Sequence, residues 1–330
     1  MQYRKFGNTD LNVSEIGFGA WAIGGNAMVG NTAIGWGQAD DAASYNAIES
    51  AIDAGINFFD TADFYGLGHS EMLLGKSLQK HQSILIATKV GHRAINDSIT
   101  LDYSKEYIIS ACNESLKRLG RDRIDFYQLH SARLTHLQNG ECIEAMEQLK
   151  KQGKIRYWGL SLNTFHPQPE SDFLMQRHLG DGFQLVFNII NQRAYPVIKE
   201  AEKKGYGIIA RMPLQFGLLT GKFNADSKFG SDDHRHTRLT PEILTEIISF
   251  LEEKVWPIAI KQNVSKTELA LQFILGCQQV STAITGIRTA AHVEQNTAGT
   301  KSLSDQIMEY LLSLERTDLI PIMEMLEKQG

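Results

Sequence analysis

Short apolar stretches alternate along this chain with longer segments whose apolar residues recur at helical spacing. The short ones are Ile16–Phe18, Ile56–Phe59, Ile84–Thr88, Asp125–Leu129, Ile155–Leu160, Phe183–Phe187, Gly207–Ala210 and Thr282–Thr285. Runs of this length, bounded by turn residues, predict buried strands. Between them, Asp40–Ala54, Ser70–Lys80, Lys105–Leu119, Glu141–Gln152, Gln192–Lys204 and Thr267–Leu275 predict helices. Gly55, Gly120, Gly153, Gly205 and Gly276 stand where left-handed helix caps are wanted. After the second strand, Ser70 and Glu71 are expected to open a helix whose apolar positions include Met72, Leu73 and Leu78. Ahead of the first strand, "QYRKFGNTDLNVSEIGFG" predicts a hairpin turning on Gly7, Asn8 and Asp10.

Strands alternating with helices imply a parallel sheet, and eight such units over 330 residues fit a closed (β/α)8 barrel, an α/β fold. We read residues 1–330 as a single barrel domain. A doubly wound two-domain enzyme needs a mid-chain linker, and no composition break supplies one. The longest irregular stretch, Leu214–Thr240 after strand seven, reads as a lid or cofactor clamp.

Composition narrows the class. Hydrophobic content of 42% and charged content of 22% fit a globular protein, and a net charge of -5 without a basic stripe argues against a nucleic-acid partner. Cys112, Cys142 and Cys277 form no CxxC pair and read as reduced filler in helices rather than a disulfide or zinc framework. "MQYRKFGNTD" lacks the apolar core of a signal peptide, and no apolar run approaches about 18 residues. These features predict a cytoplasmic protein with no membrane partner.

Two pieces resemble a dinucleotide fingerprint, "GFGAWA" (Gly17–Ala22) and, in its first half only, "GLGHSE" (Gly66–Glu71). The fingerprint requires a helix to open at once. The first piece runs instead into the Gly-rich "IGGNAMVGNTAIGWG", and the second puts Glu71 beside the would-be pyrophosphate. Both read as tight turns at a barrel mouth. "HRH" (His234–His236) lies in a polar loop and is expected to be solvated.

Barrel active sites gather at the C-terminal strand ends. Read in order, those ends carry Asp60 and Tyr65, then Lys89, His130, Ser161, Gln184 and Arg211. A phenol titrates near about 10, and an ammonium held beside one favours the phenolate. A buried Lys in turn needs a carboxylate, a role open to Asp60. His130 can orient a carbonyl, and Tyr65 can act as general acid in reduction and general base in oxidation. A lone His with a Lys and a Tyr is a poor metal set, so no metal is expected.

The spacing "DTADFYGLGHSE", "ATKVG", "DFYQLH" closely resembles the aldo-keto reductase superfamily, and the resemblance extends over nearly the whole chain. "GIIARMPLQFGLLTGKF" is similar to that family's cofactor segment after strand seven, and "ITGIRTAAHVEQN" to its adenosine-phosphate segment. The resemblance implies a barrel that binds NADPH without a dinucleotide-binding fold and reduces a small carbonyl substrate. It implies a catalytic tetrad of Asp60, Tyr65, Lys89 and His130, with Trp21, Tyr65 and His130 meeting substrate. By the same resemblance Ser161 and Gln184 hold the carboxamide, while Ala20, Trp21, Asp60, Arg211 and Pro213 also border the cofactor. Leu214, Gly217, Leu219 and Lys222 would line its pyrophosphate, and Gly286, Arg288, His292, Gln295 and Asn296 its adenosine end.

This chain departs from many relatives in reading Ser161-Leu162-Asn163 after strand five, and in placing Arg211 where others stack an aromatic. Arg288 is the expected phosphate partner. The loop Ala22–Gln38 and the stretch beyond Glu315 are expected to set substrate specificity. Two alternatives stay open: a Schiff-base aldolase using Lys89, and a non-catalytic NADP-binding subunit.

Overall fold

The computed structural model describes residues 1–330 except 36, 38, 231, 232, 234, 299–301 and 330. Gln38, at the end of the expected specificity loop, and His234 of the "HRH" run therefore lie outside the described residues. Eight parallel strands close a barrel in sequence order: β1 (Ile16–Gly19), β2 (Phe58–Asp60), β3 (Leu85–Val90), β4 (Ile124–His130), β5 (Ile155–Ser161), β6 (Gly182–Val186), β7 (Gly207–Arg211) and β8 (Thr282–Gly286). The expected second strand starts two residues late. Ile56 is buried, but its N–H closes the preceding helix on Ala51 O (2.9 Å) instead of joining the sheet.

The helices form where capping residues meet apolar periodicity. Asp40 caps Asp41–Asp53, Ser104 caps Lys105–Leu119, and Ser265 with Glu268 forms a capping box on Lys266–Gly276. The helix expected from Gln192 opens only at Tyr195, because the Gln192 amide donates to Ile189 O and Leu311 O. Gly55, Gly120, Gly153 and Gly205 are left-handed as expected, but Gly276 is not. Gly276 is the last helical residue, and a Cβ there would meet Met308 Sδ at 2.8 Å, so its smallness serves packing. In helix His69–Ser77, Met72 is exposed, whereas Ser70 and Glu71 are fully buried. Ser70 Oγ donates to Ala20 O and contacts Thr61 Oγ1, and Glu71 accepts from Arg118 and Thr88. These polar side chains clamp the loop after β1 and the end of β3 into place.

The N-terminal hairpin, Tyr3–Lys5 against Asn12–Ser14, plugs the N-terminal end of the barrel. Phe6, Leu11 and Val13 pack on the inward residues Phe58, Ala87, Phe126, Ile209 and Ile284. A larger core lies between barrel and helices. The opposite, C-terminal mouth is therefore the end left open for a site. Backbone strain gathers at that mouth: Leu67, Ser131, Met212, Gln215 and Phe216 all have positive φ. No helix among the described residues is long and apolar enough to cross a membrane. The three cysteines are free and buried.

Candidate active site

Strand register sets the site. Asp60 pairs with Gly19 and Ala87, Lys89 with Gln128, and His130 with Ser161, which in turn pairs with Gln184. Neighbouring strands thus deliver these side chains at nearly one height. Lys89 is completely buried. Its Nζ donates to Asp60 Oδ2 at 2.6 Å, to Thr61 O at 2.8 Å and to Tyr65 Oη at 3.2 Å. Burial opposes the charge, but the Asp60 carboxylate and the Tyr65 hydroxyl outweigh it and hold the Lys89 pKa above its ordinary 10.5. The ammonium is permanent near neutrality. It is therefore poorly suited to the aldolase alternative, which needs an accessible, neutral amine.

The other oxygen of Asp60 accepts from Gln128 Nε2 at 3.0 Å and Gln184 Nε2 at 2.7 Å, and Gln184 also donates to Gln128 Oε1 at 3.2 Å. Gln128 is fully buried and its role is absent from the sequence reading. Both glutamine amides fix the carboxylate under Lys89.

His130 meets Tyr65 edge-on, with ring centroids 6.0 Å apart, and His92 edge-on at 4.3 Å. The Nδ1 atoms of both imidazoles are buried without a hydrogen-bond partner among the described residues. Burial, then the nearby His92, Lys89 and Arg211, holds the His130 pKa well below 6.5. Burial lowers that of His92 as well. His130 is thus a neutral imidazole, able to donate one hydrogen bond but not to serve as a cationic acid.

Two tight turns bring Trp21 onto Tyr65. Gly66 has φ +60°, and a Cβ on it would lie 2.2 Å from Gly24 O, so the loops after β1 and β2 touch through glycines. The Trp21 and Tyr65 rings stack at 6.1 Å. Of the two fingerprint-like pieces the second is a turn, as expected, since Tyr65–Gly68 is a 3-10 turn. The first is not, because Gly17 and Gly19 lie within β1 and the chain turns only after them, into Ala22–Gly24.

A cleft of about 1430 Å³ runs from this cluster across the barrel mouth. It is larger than a site for one small ligand, typically about 300–1,000 Å³. Of the expected cofactor residues, Ala20, Trp21, Asp60, Ser161, Gln184, Arg211, Pro213, Leu214, Gly217, Lys222, Gly286, Arg288, His292, Gln295 and Asn296 line it. Leu219 does not. It is 1% exposed and packs into the core, because Phe216 and Gly217 both turn left-handed and swing the next residues inward. Asn163 turns away, accepting from the N–H groups of Phe165 and His166, while Leu162 is buried and its carbonyl accepts from Arg211. Arg211 Nη2 also donates to Thr164 Oγ1, which braces the guanidinium against the β5 loop.

The "HRH" expectation needs correcting at its centre. His236 is exposed, but Arg235 pairs with Asp233, stacks on Phe223 and Phe229, and lines the cleft. Polarity of the run concealed two phenylalanines nearby in sequence that receive the guanidinium. His92, Phe165, Arg238 and Leu326 also line the cleft without having been singled out. Among the described residues no cluster of His, Cys, Asp and Glu could hold a metal.

At the far end Lys222, Arg288 and His292 crowd together. Burial, then Lys222 and Arg288, lowers the His292 pKa, and the Arg288 N–H donates to His292 Nδ1 at 3.3 Å. Such crowding of positive groups suits an anionic ligand. An oriented phenol, a buried ammonium–carboxylate pair and an extended, basic-ended cleft are what a nicotinamide dinucleotide and a carbonyl compound require.

Comparison with known proteins agrees. The sequence profile of the Aldo/keto reductase family matches residues 15–316. The uncharacterized oxidoreductase YqkF of Bacillus subtilis (strain 168) is 29% identical over 324 residues, spanning 97% of this chain and 98% of its own. The NADH-specific methylglyoxal reductase of Escherichia coli (strain K12) is 28% identical, spanning 92% and 95%. The solved structure of the glycerol dehydrogenase AKR11B4 from Gluconobacter oxydans superposes with a TM-score of 0.80 at 27% identity over 97% of each chain. On a closed barrel whose strand ends carry this cluster, a match of that extent means that the chain belongs to the aldo/keto reductase family, whose members use nicotinamide cofactors.

Proposed function

We propose that this protein is a cytoplasmic reductase, one barrel domain over residues 1–330, that reversibly reduces an aldehyde or ketone to an alcohol with NADPH. The observation that carries the reading is the Tyr65 hydroxyl, 3.2 Å from a Lys89 ammonium that is itself bound to Asp60 at 2.6 Å. Bound NADPH supplies the hydride. Ser161 and Gln184 would hold its carboxamide, Arg211 would flank the ring, and Pro213, Leu214, Gly217 and Lys222 would line the pyrophosphate. Arg288, with His292, Gln295 and Asn296, would receive the adenosine phosphate.

Tyr65 donates the proton to the carbonyl oxygen, and Lys89 stabilises the phenolate left behind. Asp60 keeps Lys89 charged without entering the reaction. Neutral His130 donates a hydrogen bond to the same oxygen and fixes its approach. Trp21 stacks on Tyr65 and borders the substrate.

A carbonyl panel followed by NADPH absorbance tests the reading. The expected outcome is turnover of at least one aldehyde, reduced roughly 10²-fold or more in Tyr65→Phe with NADPH affinity retained. Near-normal kcat in that variant removes Tyr65 as the acid. Tight NADPH binding with no turnover of any carbonyl would favour the non-catalytic subunit instead.

A further inference from the structure

Arg238 is the cleft residue that the proposed reaction leaves unused. It ends the short helix Arg235–Arg238, lines the same cleft as Tyr65 and His130, and sits over the Phe216 ring with its guanidinium carbon 5.8 Å from the centroid. Among the described residues it meets no carboxylate and no hydrogen-bond acceptor; the ring is its one polar contact. Its neighbours are braced by the protein, although the Arg211 Nε is buried without a partner among the described residues. Arg235 pairs with Asp233, and Arg211 donates to Leu162 O and Thr164 Oγ1. A half-buried guanidinium facing a cavity with no counter-charge is costly unless a ligand supplies one.

The position of Arg238 within the cleft indicates which ligand. Positive groups run along the cleft. Lys222, Arg288 and His292 lie together at the adenosine end, and Arg235 acts on Lys222 from the helix that also carries Arg238. Arg238 covers Phe216, five residues past Arg211 at the end of β7, and acts on Arg211, which in turn feels Tyr65 and Asp60, so it reaches the side of the cleft that holds the reacting groups. The wall there is apolar and aromatic, with Trp21, Phe64, Ile99, Phe165 and Leu326. Leu326 comes from the C-terminal helix Leu319–Gln329, which packs on the Arg235–Arg238 helix and lies beyond the family match at residue 316. An apolar enclosure with a cation that no protein carboxylate pairs fits a hydrocarbon body bearing a negative charge.

We propose that Arg238 receives a carboxylate of the substrate, so that the carbonyl compounds reduced here are oxo acids rather than neutral aldehydes or ketones. This rests on the reductase reading above and names its substrate class. Guanidinium and carboxylate pair in a bidentate geometry that would also hold the carbonyl toward Tyr65.

Matched pairs test it: succinic semialdehyde against butanal, and terephthalaldehydic acid against p-tolualdehyde. In the wild type the acid of at least one pair is expected to be preferred about tenfold or more in kcat/KM, carried mainly by KM. Arg238→Met should bring that ratio near one, and Arg238→Lys should retain part of it. An unchanged ratio in Arg238→Met, or a wild-type preference for the neutral member of both pairs, overturns the proposal.

A binding measurement separates this proposal from the reductase reading. Calorimetric titration of p-(hydroxymethyl)benzoate should show about tenfold weaker binding in Arg238→Met, and equal binding overturns the proposal. Loss of binding in the variant, with no aldehyde reduced by the wild type, would sink the reductase reading but leave the carboxylate site standing. If Arg238→Met instead weakens NADPH about tenfold, the arginine serves the cofactor and the proposal fails.

Discussion

At the scale of single residues, the paired imidazoles make pH an informative variable. The folded pKa of His130 lies well below 6.5, through burial and then the nearby His92, Lys89 and Arg211, and burial also lowers that of His92. Between those depressed values and 6.5 the unfolded chain binds protons that the folded chain does not. Stability therefore rises with pH through that window and is lost as pH falls below about 6.5. One such group contributes at most about 1.4 kcal/mol per pH unit. Asp63 acts in the opposite sense, from its ordinary 3.8 up to its raised folded value. Burial, then Glu71, raises its pKa well above 3.8, so its contribution is greatest in acid and fades as pH rises through the folded value. Urea unfolding at several pH values should show that, just below pH 6.5, the wild type loses stability toward acid more steeply than His130→Gln, by about 1 kcal/mol per pH unit. An identical slope in both would mean His130 is not held neutral by the fold. At Lys89 the expectation concerns rate. Lys89→Met should depress kcat by about tenfold or more, since no charge then favours the phenolate, and an active Lys89→Met enzyme would count against the proton-donor account.

Asp60, Lys89 and His130 were legible because each directly follows an apolar run, where a strand must end, and Tyr65 because it lies in the short loop after the second such run. Gln128 was hidden inside such a run, "DFYQLH", although a glutamine among buried apolar residues needs a partner. Ser70 and Glu71 do stand in the first turn of a helix, as expected, but their buried partners were hidden for a related reason. Opening a helix is a common use of such residues, and nothing local reveals that Ala20, Thr61, Thr88 and Arg118 surround them.

At the scale of elements, the barrel strands were readable because each is buried on both faces and so forms a continuous apolar run. Helices Gln168–Gln176 and Pro241–Phe250 were not, since prolines at their first turn mimic a break and the loop context masked their periodicity. The N-terminal hairpin was readable as a hairpin, but not as a plug. Phe6 is fully buried against Phe126, with ring centroids 4.9 Å apart, and a Cβ on Gly207 would lie 2.4 Å from its ring. Phe6→Ala should cost about 3–5 kcal/mol, and Gly207→Ala about 1–3 kcal/mol by overpacking. In the double variant the new methyl occupies the vacated space, so the cost should fall short of the sum. Additive losses in denaturant unfolding would show that the hairpin and β7 do not share this contact. The segment Leu214–Thr240 offers another test at this scale. Asn188 donates to Met212 O and Gln215 Oε1, anchoring its root, while its later part carries the cleft residues Arg235 and Arg238. If it clamps the cofactor, NADPH should slow its proteolysis, and equal cleavage with and without NADPH would leave it an ordinary surface connection.

At the scale of the whole molecule, a chain of net charge -5 concentrates cations along one cleft. Because residues of every barrel strand except β3 line that cleft, a ligand bound there resists unfolding of the barrel as a unit. Binding to the folded state alone stabilises by about 2.7 kcal/mol at a hundredfold excess over Kd. The melting temperature thus reports cofactor choice without any need for turnover. NADPH and NADH differ by a 2′-phosphate, which prefers a permanently charged, bidentate partner. Arg288 follows β8 directly and lies beside His292 and Lys222. A charge-assisted contact of about 1.5–3 kcal/mol corresponds to a preference of roughly ten- to over a hundredfold. Wild-type protein should therefore be stabilised more by NADPH than by NADH at equal concentration. Arg288→Ala should lose most of that excess while its smaller response to NADH persists. Equal stabilisation of the wild type by both cofactors would mean that the cationic cluster serves the pyrophosphate, and that NADPH preference must be withdrawn.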